Sequence, residues 1–438
     1  MNLKTTIGAA ILAFGVSAIA SQIVFRGGAK PPTAASTQPR PRVEAAGADY
    51  GVMLAELDRR VDGLQKMVDK RPGDWLIRTH LGTQLFERAS LTNKIDDYDR
   101  IQAVLDEAFT LVPKGTGPLA LAARFNFSIH RLAAAEAYLE ALAGTAVPQR
   151  DDQLTAKLLR GEIALQRGQY AEALAELTAV AASEPALGQP ALALYHAKTG
   201  DPDKAAALLG ETLATADMKD PRRRAWLRLQ LGIVAMNRGD LRGAQEHLQN
   251  ADAELAGWWL VQEHLAEVHA RRGEHDKALA IYERLVRTAD LPQHMDALAG
   301  LYRHRNEPQK ADELISRAAA RWEQQLARFP ESAMGHGLLH HLQFGTPERA
   351  LELALANHAL RPGGEAQVLL ARAYLKAGQP AEALAVAERA LATPYRTAAL
   401  HDVAAKAHAA LGHKAESEAQ ISLCYAINPY FMGDDHSH

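Results

Sequence analysis

Cysteine is almost missing from these 438 residues. Cys424 stands alone, so the chain forms no internal disulfide and carries no CxxC metal or redox pair. It falls where a small buried residue fits, which reads as core packing. Aromatic residues make up only 6% while hydrophobic residues reach 47%, much of that alanine, a balance that suits closely packed helices better than sheets. A formal charge of −3 leaves no strongly basic excess of the kind a nucleic-acid footprint needs. The strings GxxxxGK[ST], GxGxxG, GxSxG and HExxH are all absent, which removes the common phosphate-cradling, dinucleotide, serine-hydrolase and zinc-protease motifs.

What the chain has instead is a ladder of turn positions: Gly168, Gly200, Gly239, Gly273, Asn306, Gly345, Gly378 and Gly412. Five residues after each comes a small one: Ala173, Ala205, Ala244, Ala278, Ala311, Ala350, Ala383 and Ser417. The steps between turns are 32, 39, 34, 33, 39, 33 and 34 residues. A period near 34 marks a stacked array of helical hairpins. Glycine accepts positive φ at such a turn and asparagine is next best, while the small residues let two helix backbones approach. The expected fold is therefore all-α, an α-solenoid of about ten hairpins.

The ladder is irregular at its start and at two later steps. The first helix, from Tyr50, carries Met53, Leu54, Leu57, Val61, Leu64 and Val68 at helical spacing and is expected to cap the array before Arg71-Pro72. The first hairpin is lengthened between Ala89 and Asp97, and the second, around Leu121-Ala122, Phe125, Tyr138 and Ala141, has no turn glycine. The two 39-residue steps hold a charged loop, Asp217 to Arg224, and a longer helix around Trp322 to Phe329. Each is expected to bend the superhelix, to offer a landing surface or, for the Arg222-Arg223-Arg224 run, to serve as a plain connector.

These units resemble the tetratricopeptide repeat family. Residues 225–256 show Leu231-Gly232, Gly239, Ala244, Leu248 and Ala251, and residues 364–394 show Leu370-Ala371, Tyr374, Gly378, Ala383 and Ala390. The chain closes with Cys424-Tyr425-Ala426-Ile427-Asn428-Pro429, very like the family's closing run. The resemblance covers roughly residues 74–430. It implies a right-handed superhelix, a non-enzymatic binding role without a cofactor, and a concave groove lined by first helices. By register that groove takes in Trp226, Gln230, Asn237, Glu263, His264, Glu267, Arg271, Asp296, Arg303, His304, Arg372, Lys376 and Lys406. Where some relatives clamp a carboxylate with Lys and Asn, this chain has Glu263/Glu267 and Asp296/Gly300, the wrong chemistry for a chaperone tail. The lining is acidic at its centre and basic over 372–406, which points to an extended peptide or folded protein of mixed charge. Trp226, Trp258 and Trp259 serve either as anchors or as inter-repeat core.

Histidine is plentiful, at 18 residues. His336 and His340 are four apart on one helix and share a face, a spacing that suits zinc, though the acid of a metalloprotease motif is missing. With His436 and His438 in the tail they make metal binding or delivery the alternative function. A groove-lining pair and a solvated tail are the plainer readings.

The address lies at the N-terminus. Thr5 to Phe25 carry no charge, long enough for residues 1–26 to span a bilayer, and Ala18-Ile19-Ala20 before Ser21 also reads as a signal-peptide cleavage site. Residues 27–49 form a Pro/Ala-rich disordered linker, 50–430 the solenoid and 431–438 a flexible His/Asp tail. The solenoid is expected in the periplasm, anchored to the bacterial inner membrane or released after cleavage, although Arg26, Lys30, Arg40 and Arg42 pull the other way. The expected protein is a scaffold or assembly factor of the cell envelope.

Overall fold

The computed structural model describes residues 47–145, 150–217 and 219–431. The anchor or signal segment, nearly all of the linker, and His436 and His438 lie outside the described residues. Among the described residues no helix is long and apolar enough to cross a membrane.

A capping helix, α1 (Tyr50–Lys70), opens the body. Ten helical hairpins follow: α2 (Trp75–Thr92) with α3 (Ile95–Thr110), α4 (Leu119–Ser128) with α5 (Leu132–Ala143), α6 (Arg150–Gln166) with α7 (Tyr170–Ser183), α8 (Pro185–Lys198) with α9 (Pro202–Thr215), and α10 (Pro221–Asn237) with α11 (Leu241–Glu254). The second five are α12 (Trp259–Arg271) with α13 (His275–Thr288), α14 (Pro292–His304) with α15 (Pro308–Arg328), α16 (Pro330–Gln343) with α17 (Pro347–Leu360), α18 (Gly364–Lys376) with α19 (Pro380–Leu391), and α20 (Ala398–Ala410) with α21 (Lys414–Ile427).

Local chemistry starts and stops these helices. Asp49, Asp74, Asp201, Asp220, Asp240, Thr346 and Thr397 accept hydrogen bonds from first-turn N–H groups. Each such cap is worth about 1 kcal/mol. Seven of the eight ladder positions are left-handed, with φ from 59° at Asn306 to 84° at Gly200. Gly345 is the exception. Its φ is ordinary, and a Cβ there would come 2.3 Å from Nδ1 of His341, so crowding rather than backbone freedom requires glycine. The answering alanines at 173, 205, 244, 278, 311, 350 and 383 are completely enclosed.

The solenoid does not stay open. It coils until its second turn rests on its first, with partners 192–200 residues apart. Arg131, at the turn of the second hairpin, pairs with Glu331 of the eighth at 3.3 Å. Gly363 and Gly364, opening the ninth, donate to the Gln166 carbonyl and to Tyr170 Oη of the third. Arg396 N–H, opening the tenth, donates to the Lys198 carbonyl of the fourth. Asn428, past the last helix, donates to the Met236 carbonyl of the fifth. Six hairpins thus complete one turn, and the hairpin turns of one layer meet the inter-hairpin connectors of the next.

The irregular segments are where the first hairpin joins this stack. Arg222 hydrogen-bonds Ser90 Oγ, and Trp259 Nε1 donates to the Leu91 carbonyl at 2.6 Å. Arg328 pairs with Asp96 at 2.8 Å and also with Asp99, while the Phe329 ring packs edge-on against Tyr98 with centroids 5.5 Å apart. The arginine run is no loop: it forms the first turn of α10, with Arg222 and Arg224 buried and Arg224 paired to Glu254 at 2.9 Å. Ala48 and Asp49, counted with the linker by composition, belong to the folded body as β1, which pairs in parallel with β2 (Leu255–Ala256).

Candidate functional site

Where the layers meet, first-turn and second-turn helices enclose a chamber with space of about 1040 Å³, its open mouth included. The first turn contributes Phe127, His130, Glu162, Leu165, Gln166, Tyr170, Leu194 and Lys198. The second contributes Ser332, Gly335, His336, Leu339, Asn357, Arg361, the opening of α18 from Gly363 to Ala366, Leu369 and Tyr395.

His130 stands at the turn between α4 and α5, where the ladder lacks its glycine, and takes the left-handed conformation at φ 62°. That backbone carries a conformational cost for a residue with a side chain. It delivers the imidazole to Gln166, whose Oε1 accepts from Nδ1 at 3.0 Å. Burial, with Arg361, His336 and Lys198 nearby, pushes His130 well below the usual histidine range, so its ring is neutral. His336, on α16, is also lowered by burial, and its ring lies parallel to that of Trp322 at 6.1 Å.

Two acids in the chamber differ in circumstance. Glu365 pairs with Lys198 across the seam at 2.5 Å. Glu162 has no partner among the described residues; it is half-buried by direct contact but faces the enclosed space, and burial pushes its carboxyl up to about 8. Arg361, at the end of α17, donates through Nε to Asn357 Oδ1 at 2.8 Å.

The groove expected by register is largely closed. Trp226 and Gln230 are wholly enclosed, and Trp226 Nε1 and Gln230 Nε2 have no partner among the described residues. Trp258 and Trp259 are likewise core, so none of the three indoles is an exposed anchor. His264 is buried with Nδ1 bonded to the Leu260 carbonyl, and Glu267 is buried against Arg271 at 2.6 Å. Glu263 lies 3.5 Å from His294. The reason is geometric: a coil that closes in six hairpins crowds its inner helices together. Asn237, Arg303 and His304 remain exposed, at hairpin turns, and Arg303 also lies over the Phe344 ring at 4.9 Å. Arg372, Lys376 and Lys406 are half-buried; Lys376 donates to the Leu342 carbonyl and Lys406 pairs with Asp402 at 3.0 Å.

His336 and His340 do share α16, but they go to different partners. His340 is buried with Nδ1 bonded to Asp296 at 2.7 Å, and Asp296 also accepts from Trp322 Nε1 at 2.9 Å. Among the described residues no three His, Cys, Asp or Glu side chains are grouped to hold a metal ion. Register reasoning missed the chamber's His130, Glu162, Lys198, Arg361 and Glu365; the one signal for them was the missing turn glycine at His130.

Fold and site together define an α-solenoid of stacked helical hairpins. Two tetratricopeptide repeat family models match parts of the chain, one over residues 154–177, 191–211 and 364–389 and the other over 229–294, so the hairpins within those residues are tetratricopeptide repeats. No curated protein sequence matched significantly. Among solved structures the chain is similar to MamA, at 19% identity over 38% of this chain and 96% of that one, with a TM-score of 0.32. It is similar to a tetratricopeptide repeat protein from Parabacteroides merdae, at 18% identity over 54% and 90% of the two chains, with a TM-score of 0.33. It is also similar to the human IFIT1 dimer with PPP-AAAA, at 14% identity over 87% and 95%, with a TM-score of 0.39.

Proposed function

We propose that this protein is a non-enzymatic, protein-binding scaffold or assembly factor of the bacterial cell envelope. The observation that carries the reading is a continuous stack of helical hairpins, several of them tetratricopeptide repeats, a module that generally mediates protein–protein interaction, with charged side chains on the rim of its second turn. The partner is a peptide or folded protein of mixed charge. It docks along Asn237, Arg303 and His304 and the basic lining at Arg372, Lys376 and Lys406, since the inner positions of the middle hairpins are filled by the protein itself. The uncharged stretch from Thr5 to Phe25 supports attachment to, or export across, the inner membrane.

Crosslinking and affinity capture from native membranes tests both parts. The full chain is expected to sediment with membranes, or to appear in the periplasmic fraction, and to retain specific partners that R303E/R372E/K406E loses. Unchanged capture by that variant would sink the rim assignment, and a full-length chain found only in the cytoplasm would sink the envelope assignment.

A further inference from the structure

The chamber between the turns holds a half-buried cation that the protein does not fully satisfy. Beyond the bond to Asn357, the Nη groups of Arg361 make no hydrogen bond or ion pair among the described residues. They lie against Gly335, where a Cβ would stand 2.9 Å from Nη2. Beside them α18 begins. Its Gly364 N–H is taken by Tyr170 Oη, but no acceptor among the described residues takes up the N–H groups of Glu365 and Ala366. Two fixed features, a planar guanidinium fork and a helix N-terminus, therefore present donors to one enclosed space.

The other charges in the chamber are spoken for. Glu365 is shared: it pairs with Lys198 across the seam and also acts electrostatically on Arg361. His130 and His336 are held neutral, and Glu162 keeps its proton at neutral pH. What remains is one positive charge facing walls of Phe127, Leu165, Leu194, Leu339 and Leu369. An organic monoanion with an apolar body matches this balance. A dianion such as phosphate would leave a charge unneutralised near Glu365 and would waste the apolar walls.

We propose that this chamber binds a small apolar carboxylate, its carboxylate held by Arg361 and the N-terminus of α18 and its hydrocarbon part against the leucine wall. Because Arg361 and α18 belong to the second turn and Phe127, Leu165 and Leu194 to the first, the ligand bridges the two layers and locks the coil shut. This site is independent of the rim proposed for a protein partner.

The probe is octanoate, titrated into the full-length protein by calorimetry and by thermal shift, with octanamide as its uncharged counterpart. Saturable one-to-one binding with a raised Tm is expected, with octanamide about tenfold weaker or worse, since each tenfold is one lost charge-assisted contact. R361M is expected to weaken octanoate by a similar factor. G335A keeps the guanidinium but displaces it, and alanine suits a helix interior; it decides the case if R361M does not fold. Absence of saturable binding, an equal response to octanamide, or wild-type affinity in G335A would each overturn the proposal.

Discussion

A carboxyl group with no partner, walled in by two layers of helices, keeps its proton, and Glu162 is such a group, pushed up to about 8 by burial. In the unfolded chain it titrates near the ordinary value of about 4.3. Between those two values the native state holds a proton that the unfolded state has lost, so this residue's contribution to stability declines across that window and is level above it. Glu162→Gln removes the titration. Scanning calorimetry should find the variant equal to the parent near pH 4 and higher in Tm by roughly 1–2 °C at pH 8, after allowing for water in the chamber. An advantage that fails to grow with pH would mean the native carboxyl is ionised. At this scale the sequence was readable wherever one residue answers to its own turn. Seven ladder positions are left-handed because a hairpin of this length needs a left-handed residue there. His130 was readable only as a missing glycine, because its ring's partners come from other hairpins.

The helices themselves followed from caps and apolar spacing. α1 runs to Lys70 as its pattern required, and the 21-residue α15 accounts for one long step of the ladder. The irregular segments were equally visible as irregularities, but their purpose was not. Residues 89–98 meet the insertion at 217–224 through Ser90 and Arg222, and the insertion at 322–329 through Asp96 and Tyr98, which meet Arg328 and Phe329. No periodicity links such segments, since each is the place where the period fails. Phe329 is the apolar centre of that junction, buried beside Tyr98 and beneath the Arg131 guanidinium at 5.2 Å. Phe329→Ala should cost about 3 kcal/mol in denaturant unfolding. A loss under about 1 kcal/mol would place the junction's strength in its polar contacts instead.

Across the described residues, apolar contacts hold each hairpin to its neighbours, while many of the contacts between layers are polar. Arg131–Glu331, Lys198–Glu365 and Arg328–Asp96 are all partly solvent-accessible. Such pairs contribute about 0–1 kcal/mol each and weaken with salt. Replacing Arg131, Lys198 and Arg328 together by alanine should enlarge the radius of gyration in solution scattering while leaving far-UV circular dichroism unchanged. A radius that stays the same would show that Phe329 and its apolar surroundings suffice to close the coil. Closure was the least legible property, because it depends on superhelical pitch, which sums small rotations over six units.

Closure also constrains ancestry. An open array lengthens or shortens by whole-unit duplication or loss, and the units on either side notice only a new neighbour. Here the second, third and fourth hairpins answer to the eighth, ninth and tenth, so inserting or deleting one unit within residues 119–396 would mispair the contacts that span it: Arg131 would face the wrong connector and Tyr170 would miss Gly364. Descendants of this chain are therefore expected to vary in side chains and in terminal units while keeping the count between the second and tenth hairpins.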